Sequence, residues 1–388
     1  MDIVITPGKL SGKIDAIPSK SQAHRLLICA AFSSKNITLI CPETSQDIEA
    51  TVDCLCSLGA KIQKIPCGYH VQPITNVPQE AILNCRESGS TLRFLLPIVG
   101  ALGIKAQFQM EGRLPHRPLS PLWEEMERMG CHLSRPADNT ILCQGKLKSG
   151  EYTIAGNVSS QFVSGLLFAL ELLGSPSSLK ITGCLESAPY VKMTEAALNL
   201  FHSGNNIPDT IIVEGDWSNG AFWLAARALG CELAVGNLDA NSIQGDRVAT
   251  CLLSGLERHC TISAENIPDL VPVLSVVAAA NQGAVFTGIQ RLRLKESDRV
   301  ATTIAMVENL GGKAEATDET LIIYGTGLSG GTVDSFQDHR IAMSAAIAST
   351  ICQETVTILG AECISKSYPR FWQDFRRLGG NYYEQHIR

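Results

Sequence analysis

Lys295-Glu296-Ser297-Asp298-Arg299 carries four charged side chains in five residues and runs straight into an apolar segment. Val300, Ile304, Val307 and Leu310, followed by Gly311-Gly312, predict an amphipathic helix with a glycine cap and the charges at its start. A helix N-terminus holds unpaired N–H groups and partial positive charge, so cations there are unfavourable unless an anion sits in front of them. Asp338-His339-Arg340, entering an alanine-rich run, repeats the pattern: Asp338 is a natural N-cap and Arg340 again opposes the dipole.

Four more segments point to anions. Lys20-Ser21 with His24 and Arg25 lead into the apolar run 26–32, offering a point charge and a guanidinium fork. His24 reads as a surface or supporting residue rather than a base. Glu87-Ser88-Gly89-Ser90-Thr91-Leu92-Arg93 places a glycine between hydroxyls, where backbone N–H groups can approach a ligand closely. Gly112-Arg113-Leu114-Pro115-His116-Arg117 is a proline-stiffened loop with two arginines. Ser159-Ser160-Gln161 opens the run 163–173 and suits a neutral phosphate cradle or a plain cap. Each segment taken singly also reads as a capped or solvated surface element. Their number in one acidic chain favours small, highly anionic substrates.

Other chemistries lack their motifs. Gly325-Thr326-Gly327-Leu328-Ser329-Gly330 matches a dinucleotide loop in letters, but Gly331-Thr332-Val333-Asp334 does not open an apolar helix, so a glycine-rich turn is expected. Gly8-Lys9-Leu10-Ser11-Gly12-Lys13 has the wrong spacing for a phosphate loop. No metal-ligand spacing occurs, and neither metal nor cofactor is expected. The 14 cysteines form no C-x-x-C pair and read as small apolar residues in a reducing compartment. A net charge of −6 argues against nucleic acid, and no apolar run is long enough to span a bilayer. The start, Met1-Asp2-Ile3-Val4-Ile5-Thr6, reads as a strand rather than a targeting segment, so a soluble, cytoplasmic, prokaryotic protein is expected.

The elements that must position these groups alternate between strand and helix. β-rich runs at 37–40, 152–154, 179–182, 210–213, 321–324 and 355–359 are separated by helical segments. Four helices end in leucine or methionine, then glycine, then a new strand, at Gly59, Gly130, Gly311 and Gly379. From Gly59 to Gly130 is 71 residues, and from Gly311 to Gly379 is 68, which suggests a repeated unit. At 388 residues the chain suffices for two domains, with a joint near Val213-Glu214-Gly215-Asp216.

In series, Lys20-Ser21 with Arg25, Gly89 with Arg93, Arg113 with Arg117, Ser159-Ser160-Gln161, Lys295-Glu296 with Arg299, and His339-Arg340 resemble the 5-enolpyruvylshikimate-3-phosphate synthase family. Ser187-Ala188-Pro189-Tyr190, Ile267-Pro268-Asp269 and Lys366 complete the match, which spans residues 1–388. The resemblance implies an α/β fold of two similar domains, each of three βαβαββ units, an inside-out α/β barrel. Residues 1–17 and 214–388 would form one domain and 18–213 the other, with the active site in the cleft between them. The activity implied is transfer of the enolpyruvyl group of phosphoenolpyruvate to the 5-hydroxyl of shikimate-3-phosphate, releasing phosphate, within chorismate and aromatic amino-acid biosynthesis.

By the same resemblance Lys20, Ser21, Arg25, Ser159, Ser160, Gln161, Ser187, Asp269, Arg291 and Lys295 line the shikimate-3-phosphate site. Lys20, Gly89, Arg117, Gln161, Arg299, Arg340 and Lys366 surround phosphoenolpyruvate, with Arg93, Tyr190 and His339 in support. Asp269 would deprotonate the hydroxyl, Glu296 would protonate the methylene carbon, and Lys20 would assist. Such chemistry needs one carboxyl kept protonated and one ionised. A monomer is expected. Glu87 and Arg291 depart from the family's frequent asparagines, and Ser90 from a frequent threonine. A UDP-N-acetylglucosamine enolpyruvyl transferase is the neighbouring alternative, but the loop 113–122 lacks the reactive cysteine of that family. A non-catalytic relative that binds phosphorylated ligands is the other.

Overall fold

The computed structural model describes residues 1–202 and 206–385. It divides into two compact units, one holding Pro18–Glu214, the other Met1–Ile17 and the chain from Gly215 onward. Each has its own apolar core.

Both units are built from the same supersecondary pattern. In the first, strand Glu80–Asn84, helix Gly89–Leu102, strand Lys105–Gln109, helix Leu122–Arg128 and the hairpin Cys131–Ala137/Thr140–Gly145 form a βαβαββ motif with a four-stranded sheet. In the other, Cys260–Ser263, Val271–Ala280, Ala284–Thr287, Arg299–Asn309 and the hairpin Lys313–Ala316/Thr320–Tyr324 do the same. A second four-stranded sheet in each unit has the same strand polarity but borrows a strand from afar. Thr210–Ile212 joins Ile37–Ile40 in the first unit, and Asp2–Thr6 joins Val356–Leu359 and Asn381–Gln385 in the other. The third motif of each unit is pared to a parallel strand pair without the hairpin, Glu151–Ala155 with Ser178–Thr182 and Ser11–Asp15 with Glu232–Gly236.

The four glycines singled out by spacing mark the four complete motifs. Gly59, Gly130, Gly311 and Gly379 all have positive φ and follow the second helix of a motif; the first three precede a hairpin, and Gly379 precedes the strand Asn381–Gln385, which pairs with Asp2–Thr6. An L side chain is disfavoured in that conformation, so glycine is what turns the chain there. The helices occupy the middle of each unit: every residue of Gly89–Leu102 except Ser90 and Leu102 is buried, as is all of Val271–Ala280 except Ala280. The strands alternate instead, as in Ile37–Ile40, whose buried and half-buried positions show one face turned inward. Each unit therefore wraps sheets around buried helices. This brings helix N-termini with their charged caps to defined places in the fold.

The loop after Tyr324 leads into the strand Gly331–Asp334, as expected of a turn rather than a nucleotide loop. No helix among the described residues is long and apolar enough to cross a membrane.

Candidate active site

In the unit that contains Gly215, the helix Arg299–Asn309 starts where the spacing placed it. Asp298 caps it, its Oδ1 accepting from the N–H groups of Val300 at 3.1 Å and Ala301 at 3.2 Å. Arg299 folds back inside and is only 1% exposed. Its guanidinium donates to three carboxylates: Nε to Asp338 Oδ2 at 2.9 Å, Nη1 to Asp269 Oδ1 at 2.5 Å and Nη2 to Glu296 Oε2 at 2.7 Å. Asp338 is fully buried and also caps the helix His339–Ala348, accepting the Arg340 N–H at 2.9 Å and the Ser297 hydroxyl at 2.9 Å. One aspartate thus ties together both dipole-opposed arginine segments.

Asp269 sits just ahead of the buried helix Val271–Ala280. Besides Arg299 it faces Lys295 Nζ at 3.7 Å and Arg340 Nη2 at 3.5 Å. Burial by itself would push the Asp269 carboxyl up, but Lys295, Arg299 and Arg340 together hold it well below the usual carboxylate range. Burial pushes Lys295 down to about 8 against the pull of Asp269, and the Arg291 and Arg299 cations add to the shift. Arg291 and His339 are buried nearby in sequence, and buried Lys366 donates to the Gln337 carbonyl at 2.9 Å, beside the Asp338 cap.

The unit Pro18–Glu214 gathers a different set. Ser88 caps the helix Gly89–Leu102, accepting the Thr91 N–H at 3.2 Å. A Cβ on Gly89 would lie 2.5 Å from Arg93 Nη1 and 2.8 Å from Arg117 Nη1, so two guanidinium groups converge on the bare glycine. Arg93 donates to Gln161 Oε1 at 3.3 Å and to the Pro118 carbonyl at 3.1 Å, with Phe162 under its plane at 5.7 Å. Gln161 Nε2 donates to Ser90 Oγ at 2.9 Å, so the hydroxyl that departs from the frequent threonine still works as an acceptor. Ser159 caps the helix Ser160–Leu173 by accepting the Gln161 N–H at 3.3 Å.

Arg25 is buried in the same unit and stacks on Phe94 at 5.0 Å. It donates to Thr194 Oγ1 at 2.8 Å, the Ser21 carbonyl at 2.6 Å and the Tyr190 carbonyl at 2.9 Å. Burial lowers it to about 10, so it stays a cation at neutral pH. Lys20 Nζ pairs with Asp47 Oδ2 at 2.8 Å. Ser187 is buried with φ +56, an uncommon conformation for serine, at the turn before the helix Ala188–His202.

The sequence reading of His24 needs correction in one respect, since the ring is buried rather than at the surface. Its Nδ1 lies 2.7 Å from Thr51 Oγ1, which is 2.7 Å from Thr91 Oγ1, which donates to the Ser88 cap at 2.7 Å. Burial above all, then Lys20 and Arg25, push its pKa well below the usual histidine range. It is a neutral strut behind the Gly89 turn. Arg113 is exposed, while Arg117 reaches Gly89. Asp47, Thr194, Ser218 and Asp246 had no signature in the sequence. They are ordinary polar residues whose partners are far away in the chain. Among the described residues, no group of three or more His, Cys, Asp or Glu side chains is placed to hold a metal.

Buried helices walled by βαβαββ sheets, with guanidinium groups gathered at their N-termini, define an enolpyruvyl transferase type of fold. The family profile of EPSP synthase (3-phosphoshikimate 1-carboxyvinyltransferase) matches residues 4–375, and the chain belongs to that family. A 3-phosphoshikimate 1-carboxyvinyltransferase of Clostridium kluyveri is 39% identical, with 97% of each chain covered. One of Clostridium beijerinckii is 37% identical over 100% of this chain and 99% of its own. Among solved structures, EPSP synthase from Acinetobacter baumannii gives a TM-score of 0.76 at 20% identity, covering 99% of this chain and 100% of that one. The enolpyruvyl transferase NikO from Streptomyces tendae gives 0.71 at 15% identity, with 99% and 98% covered. These two bear on the fold.

Proposed function

We propose that this chain transfers the enolpyruvyl group of phosphoenolpyruvate to the 5-hydroxyl of shikimate-3-phosphate and releases phosphate, the step that precedes chorismate in aromatic amino-acid biosynthesis. The observation that carries the proposal is Asp269, a half-buried carboxylate kept ionised by Lys295, Arg299 and Arg340. Those three cations keep Asp269 a weak base until substrate anions draw them away, and the substrates bring two phosphates and two carboxylates to do so.

In the proposed mechanism Glu296 gives a proton to the methylene carbon of phosphoenolpyruvate, and positive charge develops at the adjacent carbon. The 5-hydroxyl oxygen bonds to that carbon while its proton passes to Asp269. Phosphate then leaves with its bridging oxygen, and the new methyl group returns a proton to the Glu296 carboxylate, which restores the double bond. Glu296 is ion-paired with Arg299 at 2.7 Å, a geometry suited to a carboxylate. Proton donation therefore calls for Arg299 to turn toward a substrate anion and release Glu296. Lys295, about 8, is suited to relay the proton that Asp269 collects.

Arg25, Ser21, Ser159, Ser160, Gln161, Ser187 and Arg291 are assigned to shikimate-3-phosphate, and Lys20, Gly89, Arg117, Arg340 and Lys366 to phosphoenolpyruvate. All are assigned within one chain, acting as a monomer. The cysteines, none of them in a disulfide, support a reducing cytoplasm.

Phosphate release from phosphoenolpyruvate, measured with shikimate-3-phosphate and with UDP-N-acetylglucosamine, tests the assignment. Release with shikimate-3-phosphate alone, lost in Glu296→Gln and Asp269→Asn, is expected. Release with the nucleotide sugar would move the chain to the neighbouring activity. Tight binding of both ligands without release would favour a binding protein.

A further inference from the structure

Asp246 lies outside every motif read from the sequence, yet its environment is unusual. It sits in a short 3-10 turn, Gly245–Val248, and is 1% exposed. Its Oδ2 accepts a short hydrogen bond from the Ser218 hydroxyl, while its Oδ1 has no hydrogen-bond partner among the described residues. An ionised carboxylate with one oxygen bare in the interior is costly, so the neutral acid fits this geometry better. Ser218 faces two ways: its hydroxyl meets Asp246, and its carbonyl accepts from Arg340 Nη1 at 2.9 Å. Arg340 Nη2 in turn points at Asp269 Oδ2 from 3.5 Å, and its buried Nε has no partner among the described residues. The guanidinium is thus held at one end by Ser218, with its other nitrogens left for Asp269 and an incoming anion.

We propose that Asp246 is a positioning residue of the enolpyruvyl transfer site, setting through Ser218 where Arg340 stands against Asp269. This rests on the functional reading above and adds a residue to it. The role depends on Asp246 being uncharged. A charged Asp246 would compete with the substrate for Arg340 and place a second negative charge behind the base. The groups facing it are Asp269 ahead of the helix Val271–Ala280, Ser218 and the Asp216 cap on the helix Trp217–Ala228, and Arg340 on the helix His339–Ala348. Burial first, then Asp269, raise the Asp246 carboxyl to about 7, against the Ser218 hydrogen bond and Arg340, with Asp216 adding to the rise.

The sign follows directly. Below about 7 the acid is neutral and Arg340 is free to serve the substrate. As pH rises past that value, the new charge weakens anion binding. KM for phosphoenolpyruvate is expected to climb by about tenfold between the two limits, equivalent to about one unit of coupling, with kcat changing less. Phosphoenolpyruvate titrates in the same range, so the informative quantity is the ratio of the Asp246→Asn profile to the wild-type profile.

In D246N the limb above neutrality should flatten, and Asp246→Ala, which also removes the titrating carboxyl, should flatten it too. A purely structural role would lower stability without moving the limb. Parallel KM profiles in wild type and D246N overturn the proposal. If D246N fails to fold, Ser218→Ala decides: removing the hydrogen bond that stabilises the ionised form should shift the limb to higher pH, and an unmoved limb overturns the proposal. Calorimetric titration with sulfate, whose charge is constant over this range, reads the same limb without turnover. An enzyme that binds sulfate with this pH dependence but releases no phosphate would sink the functional reading and leave the Asp246 assignment standing. Sulfate affinity without the limb would do the reverse.

Discussion

The two units treat their buried arginines in opposite ways. Arg299 is neutralised by Asp269, Glu296 and Asp338. Arg25 is equally buried, but its partners are two backbone carbonyls, the Thr194 and Ser164 hydroxyls and the face of Phe94. Arg93 follows Arg25, with an amide oxygen, a carbonyl and Phe162. A guanidinium held by neutral dipoles keeps its full charge for a ligand. One held by carboxylates gives up attraction but gains groups that can take and give protons. On the proposed assignment, anion binding falls chiefly to one unit and acid–base chemistry to the other.

The most severe test of that division is Asp269→Asn. The amide has nearly the same shape but cannot accept the hydroxyl proton as a carboxylate does. Turnover is expected to fall by roughly 10³-fold, within the range for loss of a general base, while shikimate-3-phosphate affinity changes little. A comparable loss of affinity instead would show that Asp269 binds rather than reacts. Arg25→Ala should behave in the complementary way. KM for shikimate-3-phosphate should rise by about a hundredfold, as expected when a charged hydrogen-bonding anchor worth about 2–3 kcal/mol is removed. Arg25→Lys should rescue little of it, because a lysine cannot span Thr194, Ser21 and Tyr190 at once. If turnover with saturating substrates collapses in R25K while KM holds, the division between units fails.

Local chemistry in the sequence made the caps, the glycine turns and the order of elements legible. Asp298 and Asp338 cap the helices that their spacing announced, and Gly59, Gly130, Gly311 and Gly379 each turn a helix end into a strand. These signals arise within a few residues of chain. The pairing of Lys20 with Asp47, and of Arg25 with Thr194, spans loops of 27 and 169 residues, and nothing local encodes it. The resemblance named the residues expected at the site but not their partners. It was silent on Asp246, whose importance depends on Ser218, Arg340 and Asp269 meeting it in space. The missing hairpins of the pared motifs were also hidden, since the 71- and 68-residue spacings sample only complete ones.

A smaller effect is expected from Gly89→Ala in the neutral-partnered unit. The added methyl would meet Arg93 Nη1 at 2.5 Å and Arg117 Nη1 at 2.8 Å, and both are ends of flexible side chains. The fold should survive, with the two guanidinium groups pushed aside. KM for phosphoenolpyruvate should rise by about tenfold, the equivalent of about 1.4 kcal/mol, with kcat largely kept. A tenfold loss in kcat at unchanged KM would mean that these arginines act on the transition state instead.

The finest distinction lies between two carboxylates of the same unit. Asp269 is depressed in the fold, so its ionisation stabilises the protein above the unfolded value and that contribution is lost only as pH falls toward its folded value. Asp246 is raised from 3.8 to about 7, so between those values the folded chain keeps a proton that the unfolded chain has shed. Stability therefore falls as pH rises through that window, by on the order of a few kcal/mol from this group alone. D246N lacks the slope. Its Tm relative to wild type should be higher at pH 7.5 than at pH 5, whereas D269N relative to wild type should show no gain over the same interval. Melting curves for the two variants at both values separate the carboxylates by sign. A constant offset for D246N would mean that Asp246 is charged in the fold throughout, and Arg340 would then be shared with it at the expense of Asp269.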